Sequence, residues 1–104
     1  MSISERTIKI LWSLAGGLCS YSNCTVKLVD SRNDPFGTNV LGEMAHICGK
    51  KPKAKRYNHD TKLAMKVDSY ENLILLCPTH HTLIDNERGE IDYSVQKLIK
   101  IKKE

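Results

Sequence analysis

The spacing of apolar residues near the N-terminus predicts a helix. Four of them recur at i, i+3, i+4 and i+7, the spacing of one helical face: Ile8, Leu11, Trp12 and Ala15. Ser4 is in position to cap the first turn, and Gly16-Gly17 follow the last apolar residue as a stop signal. We therefore expect a helix over residues 4–15.

Three later segments have the pattern of strands. "TVKLVD" alternates, "NVLGEMAHIC" reads as a strand interrupted or turned at Gly42, and "NLILLC" is short and apolar. The intervening "SRNDPFG" contains Asp-Pro and Gly, which predict a loop. The segment from Gly49 to Lys66 has no periodicity, so we expect it to be irregular.

Two helices are expected after the last strand. The first begins near Pro78, because proline is tolerated in a first turn, and ends at Gly89. The second has Asp92 as its cap and carries four residues on one face: Val95, Leu98, Ile99 and Lys102. The chain ends at Glu104 without a C-cap signal, which we interpret as a helix that frays or continues into a longer protein.

The composition predicts a small core that needs a cross-link, either a disulfide or a metal ion, for stability. A chain of 104 residues has the length of one domain, here 1–104, and a thin core with 6% aromatic residues. Small cores are often stapled by disulfides or by a metal ion. The sequence contains no signal-peptide pattern and no apolar run of membrane length, so we expect no membrane partner and a reducing, cytoplasmic location. In that compartment cysteines are expected to bind metal rather than to pair, except for Cys48, which we expect to be a buried thiol without a metal.

Two short ligand pairs, distant in sequence, predict a structural zinc site. Cys19 and Cys24 flank the turn "CSYSNC", and Cys77 and His80 lie where the last strand becomes a helix. A tetrahedral Cys3His site needs two such pairs, each presenting two ligands to one ion. The alternative for Cys19 and Cys24 is two ordinary thiols or a disulfide. Cys48 competes with His80 for the fourth position, although the x2 spacing favours His80.

The charge distribution favours a polyanionic partner. The net charge is +4, and "GKKPKAKRYNHDTKLAMK" sets its basic residues against a single acid, Asp60. Neutralising phosphates releases condensed counterions, so such a run suits nucleic acid. The alternative is a solvated loop, because runs of charge are common. Five residues are the candidate nucleic-acid contacts: Lys50, Lys51, Lys53, Lys55 and Arg56.

The adjacent histidines in "CPTHHTLID" predict two separate sites. Successive helical residues differ in direction by about 100°, so His80 and His81 cannot face the same ion. His81 and Asp85 are one turn apart and share a face. An imidazole and a carboxylate with positions left open suit Mg²⁺ or a similar divalent ion that also binds phosphate and water.

His46 and Asn72 are candidates for a general base and its orienting partner. A histidine can take a proton from water near neutral pH, and His46 lies in the predicted strand "GEMAHIC". The side-chain amide of Asn72, before "LILLC", can hydrogen-bond and orient such a base. Taken singly, each has an ordinary alternative, a packed strand histidine and a turn asparagine.

Together these residues resemble the HNH endonucleases, whose ββα-metal core carries a His, an Asn and a His in that order. Here they would be His46, Asn72 and His81. The family's segment has Asn-Leu, three residues, Cys, two residues and Cys-His; this chain has "NLILLCPTHH", with His80 in place of the second cysteine. The match, over roughly residues 16–85, implies an α+β domain of the ββα-metal, treble-clef-like type, with a structural zinc and flanking N- and C-terminal helices.

The resemblance also implies a role for each residue. His46 would be the general base that activates water, and Asn72 would position His46 or the loop that carries it. His81 would hold the catalytic divalent ion, and Asp85 matches a position that some members use as a further ligand.

One position departs from the family's pattern. Many members have an Asp or His as a metal ligand just before the base, where this chain has Ala45. Glu43 would share the face of Ala45 on a regular strand, so it is the candidate replacement ligand.

A narrower resemblance concerns "LWSLAGGLC", "GEMAHI" and "NLILLCPTHHTLID", which are similar to the N-terminal HNH module of bacterial anti-phage effectors. In those proteins a C-terminal sensor, such as the SAVED domain of CBASS systems, binds a cyclic oligonucleotide and licenses DNA degradation. The implied function is DNA hydrolysis, in a homodimer or higher oligomer when active. No predicted element has the pattern of a base-reading helix, so we expect little sequence specificity. The alternatives are a non-catalytic zinc module that binds nucleic acid and a zinc-stapled protein-interaction domain.

Overall fold

A computed structural model describes residues 3–30, 39–86 and 88–103. Its first helix, α1, spans Glu5–Ala15. The side chain of Ser4 accepts a hydrogen bond from the amide of Thr7, and Gly16 ends the helix in the left-handed conformation, with φ 64°. Glycine adopts this conformation without steric cost, so the chain can turn here. The helix predicted for residues 4–15 is confirmed.

Two short antiparallel sheets follow α1. In the first, Val29–Asp30 (β1) pairs with Asn39–Val40 (β2). In the second, Glu43–His46 (β3) pairs with Leu73–Leu76 (β4). The regular elements of the described residues are thus helices and two-stranded antiparallel sheets, which confirms the predicted α+β class.

The strand predictions hold with one shortening. "NVLGEMAHIC" is interrupted at Gly42, as expected, where an added Cβ would lie 2.7 Å from the ring of Trp12. Only the end of "TVKLVD" is a strand; before it, Leu18 and Lys27 form an isolated bridge. The loop predicted for "SRNDPFG", residues 31–37, lies outside the described residues.

The β3–β4 pair lies at the centre of the core. All of β4 is buried, and α1 packs against it with Leu11 buried. The register sets Glu43 opposite Leu76 at the end of β4. From there Pro78–Asp85, α3, returns along both strands. The succession of β3, β4 and α3 is the ββα arrangement that the resemblance implied.

The segment from Gly49 to Lys66 is not wholly irregular, contrary to the prediction. It contains a short helix, Thr61–Met65 (α2), whose first turn is capped by the side chain of Asp60 accepting from the amide of Leu63. Leu63 is also the buried residue of this helix. A single buried side chain leaves no periodicity to detect. A 3-10 helix, Tyr70–Asn72, then leads into β4.

The C-terminal helices have other limits than predicted. α3 ends at Asp85, and a further helix, Gly89–Asp92 (α4), begins at Gly89. Glycine is needed at this position because a Cβ would collide with the carbonyl oxygen of Ile84. Asp92 therefore belongs to α4 and does not cap Val95–Lys103, α5. Instead, the hydroxyl of Ser94 accepts a hydrogen bond from the amide of Lys97, in the first turn of α5. The buried residues of α5 are Val95, Leu98 and Ile101. Over the described part of the chain, no helix combines the length and apolar character needed to cross a membrane.

Candidate active site and metal centre

Three cysteines and one histidine meet beside the start of α3. Cys19 and Cys24 flank a turn in which Asn23 has a φ of 63°. Cys77 immediately precedes α3, and His80 lies in its first turn. The four candidate ligand atoms all lie within 4.8 Å of one another.

This Cys3His group fits a tetrahedral zinc ion. Nδ1 of His80 lies 3.5 Å from Sγ of Cys19 and 3.3 Å from Sγ of Cys77. Ligands held about 2.0–2.3 Å from zinc at tetrahedral angles are themselves separated by roughly 3.5–3.8 Å. Three thiols and an imidazole are also donors that structural zinc sites use. The group can therefore hold zinc.

The surroundings orient the imidazole and bury two of the three thiols, those of Cys19 and Cys77. The ring of His80 stacks on Tyr21, with centroids 4.0 Å apart, and the Tyr21 hydroxyl hydrogen-bonds that of Tyr93 over 2.8 Å. Burial raises the pKa of the Cys19 thiol to about 11. This thiol is therefore neutral near pH 7 without an ion, whereas zinc binds the thiolate, so binding has to displace a proton.

Cys48, the rival fourth ligand, lies elsewhere. It is fully buried, and its Sγ donates to the carbonyl oxygen of Arg56 over 3.2 Å. Among the described residues, the group with metal-ligand spacing contains His80 and not Cys48.

A second cluster lines an open cavity of about 440 Å³. The cavity lies among β3, α3 and residues 49–56, which we call the basic loop. Its walls include the two histidines outside the Cys3His group that sequence reasoning had selected, together with one carboxylate: His46, His81 and Asp85. Four lysines of the basic loop also line it: Lys50, Lys51, Lys53 and Lys55. Gly49 lets this loop fold back, because an added Cβ would lie 2.5 Å from the carbonyl oxygen of Lys55.

His46 is bonded to a carboxylate that sequence reasoning did not select. Its Nε2 lies 2.9 Å from Oδ1 of Asp68, whose Oδ2 lies 2.8 Å from Nζ of Lys50. Although burial acts to raise it, the contacts with Lys50 and His46 hold the pKa of Asp68 below its ordinary value. Asp68 is 22 residues from His46, so no local pattern could have paired them.

Asn72 is fully buried and ties two segments together. Its Oδ1 accepts from the amide of Cys48 over 2.7 Å, and its Nδ2 donates to the carbonyl oxygen of Cys48 over 2.9 Å. Nδ2 also donates to the carbonyl oxygen of Val67 over 2.9 Å. The side chain thus joins the end of the His46 segment to the loop that carries Asp68.

His81 lies between two carboxylates. Its Nδ1 is 2.9 Å from Oε2 of Glu43, and its Nε2 is 3.4 Å from Oδ2 of Asp85. The two carboxylates therefore contact different ring nitrogens. Asp85 lines the cavity, whereas Glu43 is not among the described residues that do. Ala45, at the family's usual ligand position, is buried and also borders the cavity.

The comparison with known families covers both clusters. Residues 19–91, more than half of the chain, match the family model described as HNH endonuclease. The chain belongs to the HNH endonuclease family. HNH nucleases use divalent metal ions and act on DNA, so membership indicates a nuclease. A search of curated proteins found no match.

In this member of the HNH endonuclease family Arg56 is not a surface cation, which corrects the prediction of a phosphate contact. Its side chain is fully buried, and Nε donates to the carbonyl oxygen of Ile47 over 2.7 Å. Nη1 donates to the carbonyl oxygen of Ile84 over 2.8 Å, and Nη2 lies 3.0 Å from Oδ1 of Asp85. A guanidinium so enclosed holds the basic loop and α3 together, and it is inaccessible to DNA. Its φ of 59° is unusual for a non-glycine residue, and a run of basic residues does not predict it.

Proposed function

We propose that this HNH endonuclease domain hydrolyses DNA phosphodiester bonds in a metal-dependent reaction with His46 as general base. The observation that carries the proposal is one cavity shared by a proton acceptor, a His–carboxylate pair and a rim of lysines. General-base removal of a proton from water typically contributes about 10²–10⁴-fold to rate. The attacking water oxygen forms the new bond to phosphorus, its proton passes to His46, and the bond to the 3′ oxygen breaks.

His81 and Asp85 are the proposed holders of the catalytic divalent ion. They line the cavity together with His46. His81 offers a ring nitrogen and Asp85 a carboxylate oxygen to Mg²⁺ or a similar divalent ion. A bound ion there would stabilise negative charge on the phosphate and on the leaving 3′ oxygen. Glu43 bonds the other nitrogen of His81, as carboxylates commonly do to orient a ligating imidazole. We therefore assign Glu43 to orienting His81 in preference to direct ligation.

The lysines of the basic loop are the proposed contacts to the DNA backbone. Lys50, Lys51 and Lys53 are exposed, and Lys55 is half-buried. Contacts with phosphates fix the position of a protein on DNA but carry no sequence information. We therefore propose cleavage with little sequence specificity.

The Cys3His group is proposed to hold a structural zinc. It would join the turn after α1 to the start of α3, close to the helix that carries His81. The resemblance of three sequence segments to anti-phage effectors further supports a role as the effector nuclease of a defence system. In that case the domain would be the N-terminal part of a longer, oligomeric protein with a cyclic-oligonucleotide sensor.

The proposed function is tested with plasmid DNA incubated with zinc-loaded, desalted protein, either with added Mg²⁺ or without it. Wild-type protein should cut only with the metal, and His46→Ala should lose at least about 100-fold in rate, as expected when a general base is removed. His59→Ala is the matched control, because His59 is exposed and is not among the residues lining the cavity. Cutting that survives His46→Ala would refute the assigned mechanism. Lysine-dependent DNA binding without cutting in any divalent metal would instead support the non-catalytic zinc module.

A further inference from the structure

We infer that Asp68 is a positioning residue that sets the tautomer of His46, so that Nδ1 is the atom that takes the proton from water. This inference rests on the proposed function, in which His46 is the general base. It concerns a residue outside the His-Asn-His triplet and outside the metal ligands.

The contact between the two side chains fixes which nitrogen carries the proton. An ionised carboxylate only accepts hydrogen bonds, and in a neutral imidazole one nitrogen donates while the other accepts. Asp68 is ionised at neutral pH, so Nε2, at 2.9 Å from Oδ1, must be the donor. Nδ1 then keeps its lone pair. Within the part of the chain that the structure describes, Nδ1 of His46 has no hydrogen-bond partner, and the ring borders the cavity.

The carboxylate is held in place from two sides. The side chain of Asp68 is 14% exposed, and Lys50 binds its second oxygen over 2.8 Å. The backbone beside it is anchored as well, because Asn72 donates to the carbonyl oxygen of Val67 and the amide of Ser69 donates to that of Lys66. Asn72 also holds the end of the His46 segment through Cys48. One buried side chain therefore sets the base and its carboxylate at a fixed separation.

This geometry separates orientation of the base from DNA contact. Asp68 is not among the described residues that line the cavity, so it acts through His46 and does not itself touch the scissile phosphate. Loss of its carboxylate should therefore lower kcat. KM should change little, because Lys50, the proposed phosphate contact that Asp68 binds, keeps its charge in the variant. An asparagine at position 68 keeps the size, but its amide nitrogen can donate to Nε2 and so favour the opposite tautomer. Where this exchange occurs beside a catalytic histidine in serine proteases, kcat falls by about 10⁴.

The test compares Asp68→Asn with wild type in the zinc-loaded protein, using ¹⁵N NMR of the histidine rings and steady-state cutting of DNA. Asp92→Asn is the matched control, since Asp92 is an exposed aspartate paired with Arg88 at the end of α4. The His46 resonances, assigned with His46→Gln, should show the Nε2–H tautomer in wild type and in Asp92→Asn at slightly alkaline pH. In Asp68→Asn this tautomer should no longer dominate, and kcat should fall by about 10²-fold or more with KM within a factor of two or so.

Two results would overturn the inference directly, and a third would contradict its kinetic part. One is an Nε2–H tautomer of His46 that persists in Asp68→Asn; the other is a tautomer that changes while kcat does not. A KM that rises with an unchanged kcat would also contradict it, because that pattern marks loss of binding. Wild-type protein that cuts no DNA would contradict the proposed function separately, and the NMR comparison would still decide whether Asp68 sets the tautomer.

Discussion

Single polar side chains do much of the positioning in this domain. Asn72, Asp68 and Arg56 are buried or nearly so, and each binds atoms from segments distant in sequence. A buried polar group that loses its hydrogen-bond partner destabilises the fold, because water cannot replace the lost hydrogen bond. The geometry of the cavity should therefore respond to changes at residues that never contact the substrate.

Replacement of Arg56 by methionine should lower the free energy of unfolding by about 3 kcal/mol or more. The change leaves the carbonyl oxygens of Ile47 and Ile84 without these donors and removes one of the partners of Asp85. Urea denaturation of the zinc-loaded protein measures this loss. Arg88→Met is the control, because Arg88 is 70% exposed in its pair with Asp92 and should cost less than about 1 kcal/mol. Equal, small losses in both variants would show that the buried position of Arg56 contributes nothing.

Among the secondary-structure elements, α3 connects the two clusters. His80, in its first turn, belongs to the Cys3His group, and the next residue, His81, borders the cavity. The helical rotation of about 100° per residue produces this division. Substitutions one residue apart should therefore have different consequences.

Alanine at position 80 should prevent stable folding, whereas alanine at position 81 should abolish DNA cleavage and leave the fold intact. His80→Ala removes a ligand from the Cys3His group, so bound zinc and the cooperative thermal transition should be largely lost. His81→Ala should keep one zinc per chain and a melting temperature close to that of wild type while losing metal-dependent cleavage. Metal analysis, calorimetry and plasmid cutting on the two variants give the comparison. Loss of zinc from His81→Ala and not from His80→Ala would contradict the division.

Helix α5 is attached to the core by a lysine whose burial predicts a pH dependence. Nζ of Lys102 donates to the carbonyl oxygens of Tyr70 and Leu73, and burial lowers its pKa from 10.5 to about 8. Between those values the unfolded chain holds a proton that the folded chain has lost, so the free energy of unfolding should rise with pH. Below about pH 8 both states are protonated and the cost of burying the charge is present in full.

The measurement is the difference in unfolding free energy between wild type and Lys102→Met across this range, with zinc bound throughout. Subtracting the value for the variant from that for wild type removes the contribution of cysteine titration, because the cysteines are the same in both proteins. The wild type should gain stability relative to the variant as pH rises from about 8 to 10.5. A difference that is constant with pH would exclude a lowered pKa for this lysine.

In the molecule taken as a whole, the Cys3His group joins parts of the chain that are distant in sequence. It links the turn after α1 to the junction of β4 and α3, across a domain with short strands and a short α2. Metal binding in small domains supplies folding free energy directly. Zinc removal should therefore affect the cavity as well as the metal site.

Removal of zinc with a chelator at neutral pH should unfold the domain, and Cys77→Ser should purify with little zinc. Cys48→Ser is the control, because the Cys48 thiol is buried but donates to a carbonyl oxygen outside the group. It should keep about one zinc per chain. Zinc added back to the unfolded apo protein should release protons, because cysteine thiols in an unfolded chain are mostly neutral near pH 7 and bind zinc as thiolates. A weakly buffered pH indicator detects that release, and zinc uptake without it would show that the thiols were already ionised.

Several features followed from the order of residues alone, because they depend on local geometry. The first helix and its Ser4 and Gly16 ends need only the helical period and two capping residues. The ligand pairs of the Cys3His group are set by short spacings, and the separation of His80 from His81 is set by helical rotation. The short helix α2 was missed because only one of its side chains, Leu63, is buried, and the start of α4 was missed because Gly89 packs closely on the carbonyl oxygen of Ile84.

The remaining features depend on which distant segments the fold brings into contact. Asp68 meets His46, and Glu43 meets His81, through pairings that leave no periodic trace in the sequence. Arg56 reads as one cation in a basic run, but the fold surrounds it with carbonyl oxygens from two segments and makes it a buried link. Spacing along the chain can specify ligands that share a turn or a helix, whereas the partner of each buried charge is specified by packing.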